Sequence, residues 1–85
     1  MVISIKEFRG INMWATGRNI RQLRIERNLT VRDLQEYFGF SEPRAIYKWQ
    51  NGETLPDIEN LLALSDLFEV PVERIIVRYE MSEAA

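Results

Sequence analysis

The chain has no cysteine and no histidine among its 85 residues. Without cysteine there is no disulfide framework and no thiolate metal site. Without histidine the usual general base and the commonest metal ligand are gone. Glycine is scarce, and its four copies are isolated, so no glycine loop for a phosphate is present. The carboxylates are scattered over helix starts and polar faces rather than paired at a visible site. These absences argue against an enzyme, and against a bound metal or other cofactor. No apolar run approaches the roughly 20 residues of a membrane span. The first ten residues, MVISIKEFRG, lack the apolar stretch and cleavage site of a secretory signal. A cytoplasmic protein with no membrane association is expected.

A hydrophobic fraction of 46% is ordinary for a globular chain, and the length suits one domain with a modest core. The net charge is −2 and the isoelectric point about 5.1, which at first counts against a polyanionic partner. The distribution points the other way. Residues 1–16 carry two basic groups and one acidic, +1 in all. Residues 17–51 carry seven basic groups against four acidic, or +3. Residues 52–85 carry two basic against eight acidic, or −6. Local field rather than total charge steers a polyanion, so the basic half defines the candidate binding side.

Residues 1–15 show no helical period and read as an N-terminal arm, either a short strand or a disordered lead. Thr16 is a good cap for a first helix running to about Asn28, with Ile20 and Leu23 inward. Thr30, with Asp33 three residues on, signals the start of a second helix. That helix places Val31, Leu34 and Phe38 on one face and stops at Gly39. A third begins at Pro43, tolerated where its missing N–H has no partner to lose. It puts Ala45, Ile46 and Trp49 inward and ends at Asn51 and Gly52. Asp57 caps a fourth, whose Ile58, Leu61, Leu62, Leu64, Leu67 and Phe68 form a wide apolar face. Pro71 opens a short last helix with Val72, Ile75 and Ile76 inward. The residues from Tyr79 read as a frayed tail. The expected division is therefore an arm at 1–15, a domain at 16–78 and a tail at 79–85.

The most informative stretch is 29–56, LTVRDLQEYFGFSEPRAIYKWQNGETLP. Two short helices across a glycine-marked turn are the helix-turn-helix signal. The outward side of the second, with Arg44, Tyr47 and Lys48, is polar and basic and suits the major groove of DNA.

The ordered spacing of Arg24, Leu29, Thr30, Leu34, Gly39, Ile46, Trp49, Asn51, Gly52, Pro56 and the NLLAL run at 60–64 resembles the phage lambda repressor-like family, XRE type. The likeness covers about 16–77. It implies an all-α, compact five-helix domain whose helices 2 and 3 form the turn motif. It also implies binding of double-stranded DNA as a homodimer, most often for repression. Three departures stand out. Val31 occupies a position where many relatives have a phosphate-binding glutamine. Gln50 replaces a glutamate that pairs with the arginine of helix 1, and still accepts a hydrogen bond from Arg24. The turn through Phe40, Ser41 and Glu42 is one residue longer than usual.

Carried onto this chain, the resemblance makes Arg44 the leading base reader, because an arginine bonds guanine O6 and N7 together. Tyr47 and Glu42 are further base-reading candidates. The alternative for Tyr47 is packing on Phe40 or Trp49, and for Glu42 it is orienting Arg44 rather than accepting from a cytosine amino group. Arg32, in the first turn of helix 2, and Lys48 are expected at DNA phosphates. Arg18 and Arg21 extend the basic footprint, or are simply a wet face. Ile20, Leu23, Leu34, Phe38, Ile46, Trp49 and Leu61 are the expected core. Trp14 either seals that core or lies in a dimer contact. The leading function is a sequence-specific DNA-binding transcriptional regulator, a repressor. The competing class is a protein-interaction module, such as an antitoxin or a partner-binding subunit, suggested by the acidic second half and the glutamine lost at Val31.

Overall fold

Local capping decides where most of the helices begin and end. In the computed structural model, which describes residues 8–80, α1 spans Met13–Glu26, α2 Val31–Phe38, α3 Arg44–Gln50 and α4 Ile58–Phe68. Thr30 Oγ1 accepts from the Asp33 amide at 3.0 Å while Asp33 Oδ2 accepts from the Thr30 amide at 2.8 Å. This reciprocal capping box satisfies two donors that the first turn of α2 leaves free. Asp57 does the same for α4, accepting from the Asn60 amide at 2.8 Å. Asn28, Gly39 and Gly52 stop the preceding helices from the left-handed region, with φ of 57°, 72° and 74°. The fold is all-α in its regular elements, with the turn motif at α2 and α3.

Three expectations need correction. The first helix begins at Met13, not after Thr16. Its cap is Asn12, whose Oδ1 accepts from the Ala15 amide at 3.0 Å. Thr16 is instead buried inside α1, where its hydroxyl accepts from the Val77 amide at 2.9 Å and donates to the Val77 carbonyl at 3.3 Å. The fifth helix is reduced to a 3₁₀ turn at Val72–Arg74. The carbonyls of Arg74 and Ile75 accept from Asn19 Nδ2 at 2.6 and 3.0 Å, so they do not serve a further helical turn. The β-branched run Ile75, Ile76, Val77 also disfavours continuing the helix. Finally, Tyr79 is tied down rather than frayed. Its amide donates to the Gly10 carbonyl at 2.9 Å, and the Asn12 amide to the Val77 carbonyl at 2.8 Å. Ile11 and Arg78 thus face each other in an antiparallel bridge.

The core is formed by Ile20 and Leu23 of α1, Leu34 of α2, Ile46 and Trp49 of α3, Leu64 and Phe68 of α4, and Ile75. Phe38 and Leu61 are partly buried against it. The inward face of α4 is narrower than its composition suggests, because Ile58 is 77% and Leu62 54% exposed. Trp14 also lies outside the core and is mostly exposed.

Two glycines set how closely the helices approach. A Cβ at Gly17 would meet the Gln50 carbonyl oxygen at 2.7 Å, and the Trp49 carbonyl oxygen closer still. Only glycine lets α1 cross α3 at that distance. A Cβ at Gly52 would come within 2.9 Å of Trp14 Cα, so the loop after α3 lies directly on the start of α1.

Candidate nucleic-acid interface

Helix α3 is held from beneath by aromatic packing and at its far end by α1. Phe38 at the end of α2 stacks on Phe40 of the turn, with centroids 5.1 Å apart and planes at 11°. Trp49 meets Phe38 edge-on at 5.4 Å and Phe40 at 6.0 Å. Such aromatic pairs contribute about 0.5–1.5 kcal/mol beyond the area they bury. They also give the turn a packing role, since Phe40 lies against the core. The signal for this was present in the sequence as an aromatic beside Gly39, but nothing local says which way it points.

With Ile46 and Trp49 committed to the core, helical geometry turns Arg44, Tyr47 and Lys48 outward. Arg44 is 72% exposed by its side chain, and Tyr47 is 48% exposed. Tyr47 makes no ring contact with Phe40 or Trp49 of the kind those residues share with Phe38. Glu42, Arg44 and Lys48 line one open recess between the turn and the first two turns of α3, floored by Phe40 and Ala45. Glu42 Oε1 lies 3.3 Å from Arg44 Nε. In this recess Arg44 and Lys48 bring two cationic groups together, and among the described residues its lining comes from the turn and α3 alone.

The other expected phosphate residues are placed differently. Arg32 is exposed at the start of α2 but pairs with Glu36 at 3.5 Å on its own helix. Arg18 is exposed yet spends one guanidinium nitrogen on the Gln50 carbonyl, 3.0 Å away at the opposite end of α3 from Arg44. A cation there also suits the negative end of the helix dipole. Arg21 is exposed on α1 and forms no ion pair among the described residues. Arg24 is structural: its Nε donates to Gln50 Oε1 at 2.9 Å and its Nη1 to the Leu29 carbonyl at 2.8 Å. Arg27 is structural as well, donating to the Phe68 carbonyl and lying over the Phe68 ring at 5.9 Å. Among the described residues no cluster of side chains could hold a metal ion, and no helix is long and apolar enough to cross a membrane.

Helices α2 and α3 across a short turn, with the basic side of α3 uncovered, define a helix-turn-helix domain, the architecture of DNA-binding transcription regulators. The Helix-turn-helix family model matches residues 20–75, and the chain belongs to that family, in its phage lambda repressor-like, XRE-type form. Over 62 residues it is 34% identical to the HTH-type transcriptional activator BcrR of Enterococcus faecalis. That match takes in 73% of this chain and 30% of BcrR, so the chain spans less than a third of the length of that relative. The fold is also similar to the S. venezulae BldD DNA-binding domain, with a TM-score of 0.65 at 20% identity, covering 76% of this chain and 96% of that one. A crystal structure of the BldD DNA-binding domain gives the same score at 18% identity, covering 88% and 100%.

Proposed function

We propose that the chain reads a specific double-stranded DNA sequence by inserting α3 into the major groove, and that it represses transcription by occupying its site. The observation that carries this reading is the recess lined by Arg44 and Lys48, on the one side of α3 that its own domain leaves open. In this reading Arg44 contacts guanine, Tyr47 touches a thymine methyl or a phosphate, and Lys48 and Arg32 bind phosphates. Arg18 and Arg21 add field along α1. The domain acts as a homodimer on two half-sites about one helical turn, roughly 34 Å, apart. It acts in the cytoplasm and carries out no catalytic step. BcrR is named an activator, and the matched part is 30% of it. Blocking a promoter needs only site occupancy, which this domain can supply alone.

Selection from random duplexes, followed by titration of wild type and Arg44→Ala, tests the reading. An enriched half-site repeated at fixed spacing is expected, with Arg44→Ala losing affinity for that site far more than for random DNA. Lys48→Ala should weaken both equally and flatten the salt dependence by about one phosphate's worth. Equal loss on both duplexes for Arg44→Ala would remove it from base reading.

A second reading is favoured by the segment that follows α3. From Gly52 to Glu73 there are six carboxylate residues and no lysine or arginine, and Ile58 and Leu62 stand exposed among them. An acidic segment with exposed apolar side chains fits a basic protein partner, as an antitoxin or a partner-binding subunit would have. Loss of DNA binding in the isolated chain, restored by such a partner, would favour it.

A further inference from the structure

Glu42 sits where a carboxylate is least expected on a surface for a polyanion. Both it and Arg44 are mostly solvent-exposed, at 59% and 72%, and their paired atoms are 3.3 Å apart. A carboxylate at this surface repels phosphate whatever the base sequence, so it lowers affinity for all DNA alike. Its geometry, however, acts on Arg44 alone. Nε of the guanidinium lies beside Glu42, and the two terminal nitrogens donate to no partner among the described residues. Those two nitrogens form the edge that a guanine O6 and N7 pair takes. Lys48, one helical turn on, lines the same recess. Its like charge at i+4 disfavours Arg44 swinging back along α3. Arg44 is therefore pulled from one side and pushed from the other.

We propose that Glu42 is the positioning residue for sequence selectivity. It fixes the direction of Arg44 and penalises the alternative in which Arg44 leaves the pair to reach a phosphate on random DNA. On a matching site the pair persists, because Arg44 bonds guanine through its terminal nitrogens while Nε stays beside Glu42. On a mismatched site Arg44 must either stay unpaired with the base or break from Glu42. This inference rests on the assignment of Arg44 as a base reader.

The test uses the full chain as wild type, Glu42→Gln and Arg44→Ala, each carried through selection from random duplexes and then through a salt series. Glu42→Gln keeps the size of the side chain and removes its charge. It should bind random DNA about two- to fivefold tighter, the scale of one exposed ion pair. Its affinity should fall more steeply with salt, by about one additional phosphate contact. Its preference at the base pair that depends on Arg44 should fall by a similar factor, with an unchanged melting temperature. If Arg44→Ala leaves the selected sequence unaltered, the base-reading assignment fails and this proposal fails with it. If Arg44→Ala alters that sequence while Glu42→Gln keeps the wild-type contrast and salt slope, the positioning role alone is overturned.

Discussion

Arg24 on α1 donates through Nε to the side-chain oxygen of Gln50 at the last position of α3, 2.9 Å away, and Gln50 is almost wholly buried. The same arginine holds the Leu29 carbonyl at 2.8 Å, and Arg18 holds the Gln50 carbonyl at 3.0 Å. One arginine thus joins α1, the α1–α2 connection and the end of the helix proposed to enter DNA. A neutral acceptor serves here where a glutamate would bring a charge into a desolvated site.

Replacing Gln50 by leucine keeps the volume and removes the acceptor. The Arg24 Nε–H is then left without its partner in a partly buried place, which costs about 1–3 kcal/mol. A urea titration monitored by tryptophan fluorescence should show a lower midpoint with an unchanged slope. An unaltered midpoint would mean that water replaces the amide without loss.

Gly17→Ala is expected to destabilise despite the better helix propensity of alanine. The added Cβ would lie 2.7 Å from the Gln50 carbonyl oxygen, and backbone on both sides has little room to give. Overpacking of this kind costs about 1–3 kcal/mol against a propensity gain of about 1. Because α3 must move away from α1, DNA affinity should fall as well, measured at a temperature where the variant is fully folded.

Thr16→Val tests the latch between α1 and the C-terminal segment. Valine fits the buried space but leaves the Val77 amide without an acceptor, costing about 1–2 kcal/mol. Hydrogen exchange should accelerate at the amides of Val77, Asn12 and Tyr79, which share that pairing, and stay unchanged at the core of α3.

Asp33 links stability to pH. The hydrogen bond from the Thr30 amide, helped by the Thr30 hydroxyl, holds its carboxyl below the ordinary aspartate value. A depressed folded-state value means that this stabilisation is fully present above the unfolded value of about 3.9. It is lost as pH falls through the folded value, when protonation removes the charge that strengthens these hydrogen bonds. Asp33→Asn should therefore melt lower than wild type near neutral pH. The two melting temperatures should converge as the pH drops below about 4.

The helix starts and stops at Thr30, Asp33, Gly39, Asn51, Gly52 and Asp57 were legible because each rests on contacts within four residues of the chain. The outward side of α3 followed from the same periodicity, since Ile46 and Trp49 leave Arg44, Tyr47 and Lys48 no inward room. Thr16 misled because a hydroxyl near a helix start reads as a cap, and only Val77, 61 residues away, shows that it is a latch. Arg18 read as part of the basic footprint, and only the fold shows that it also holds the Gln50 carbonyl, 32 residues away.

What the order of residues determined alone is the set of local elements and which side of each is apolar, because capping and helical period act over one or two turns. Tertiary structure decided the rest: the close crossing of α1 over α3 at Gly17, the shortening of the last helix, and the emergence of Ile58 and Leu62 into solvent. Those outcomes depend on which backbone groups and side chains meet across tens of residues, and no spacing within a single segment encodes such meetings.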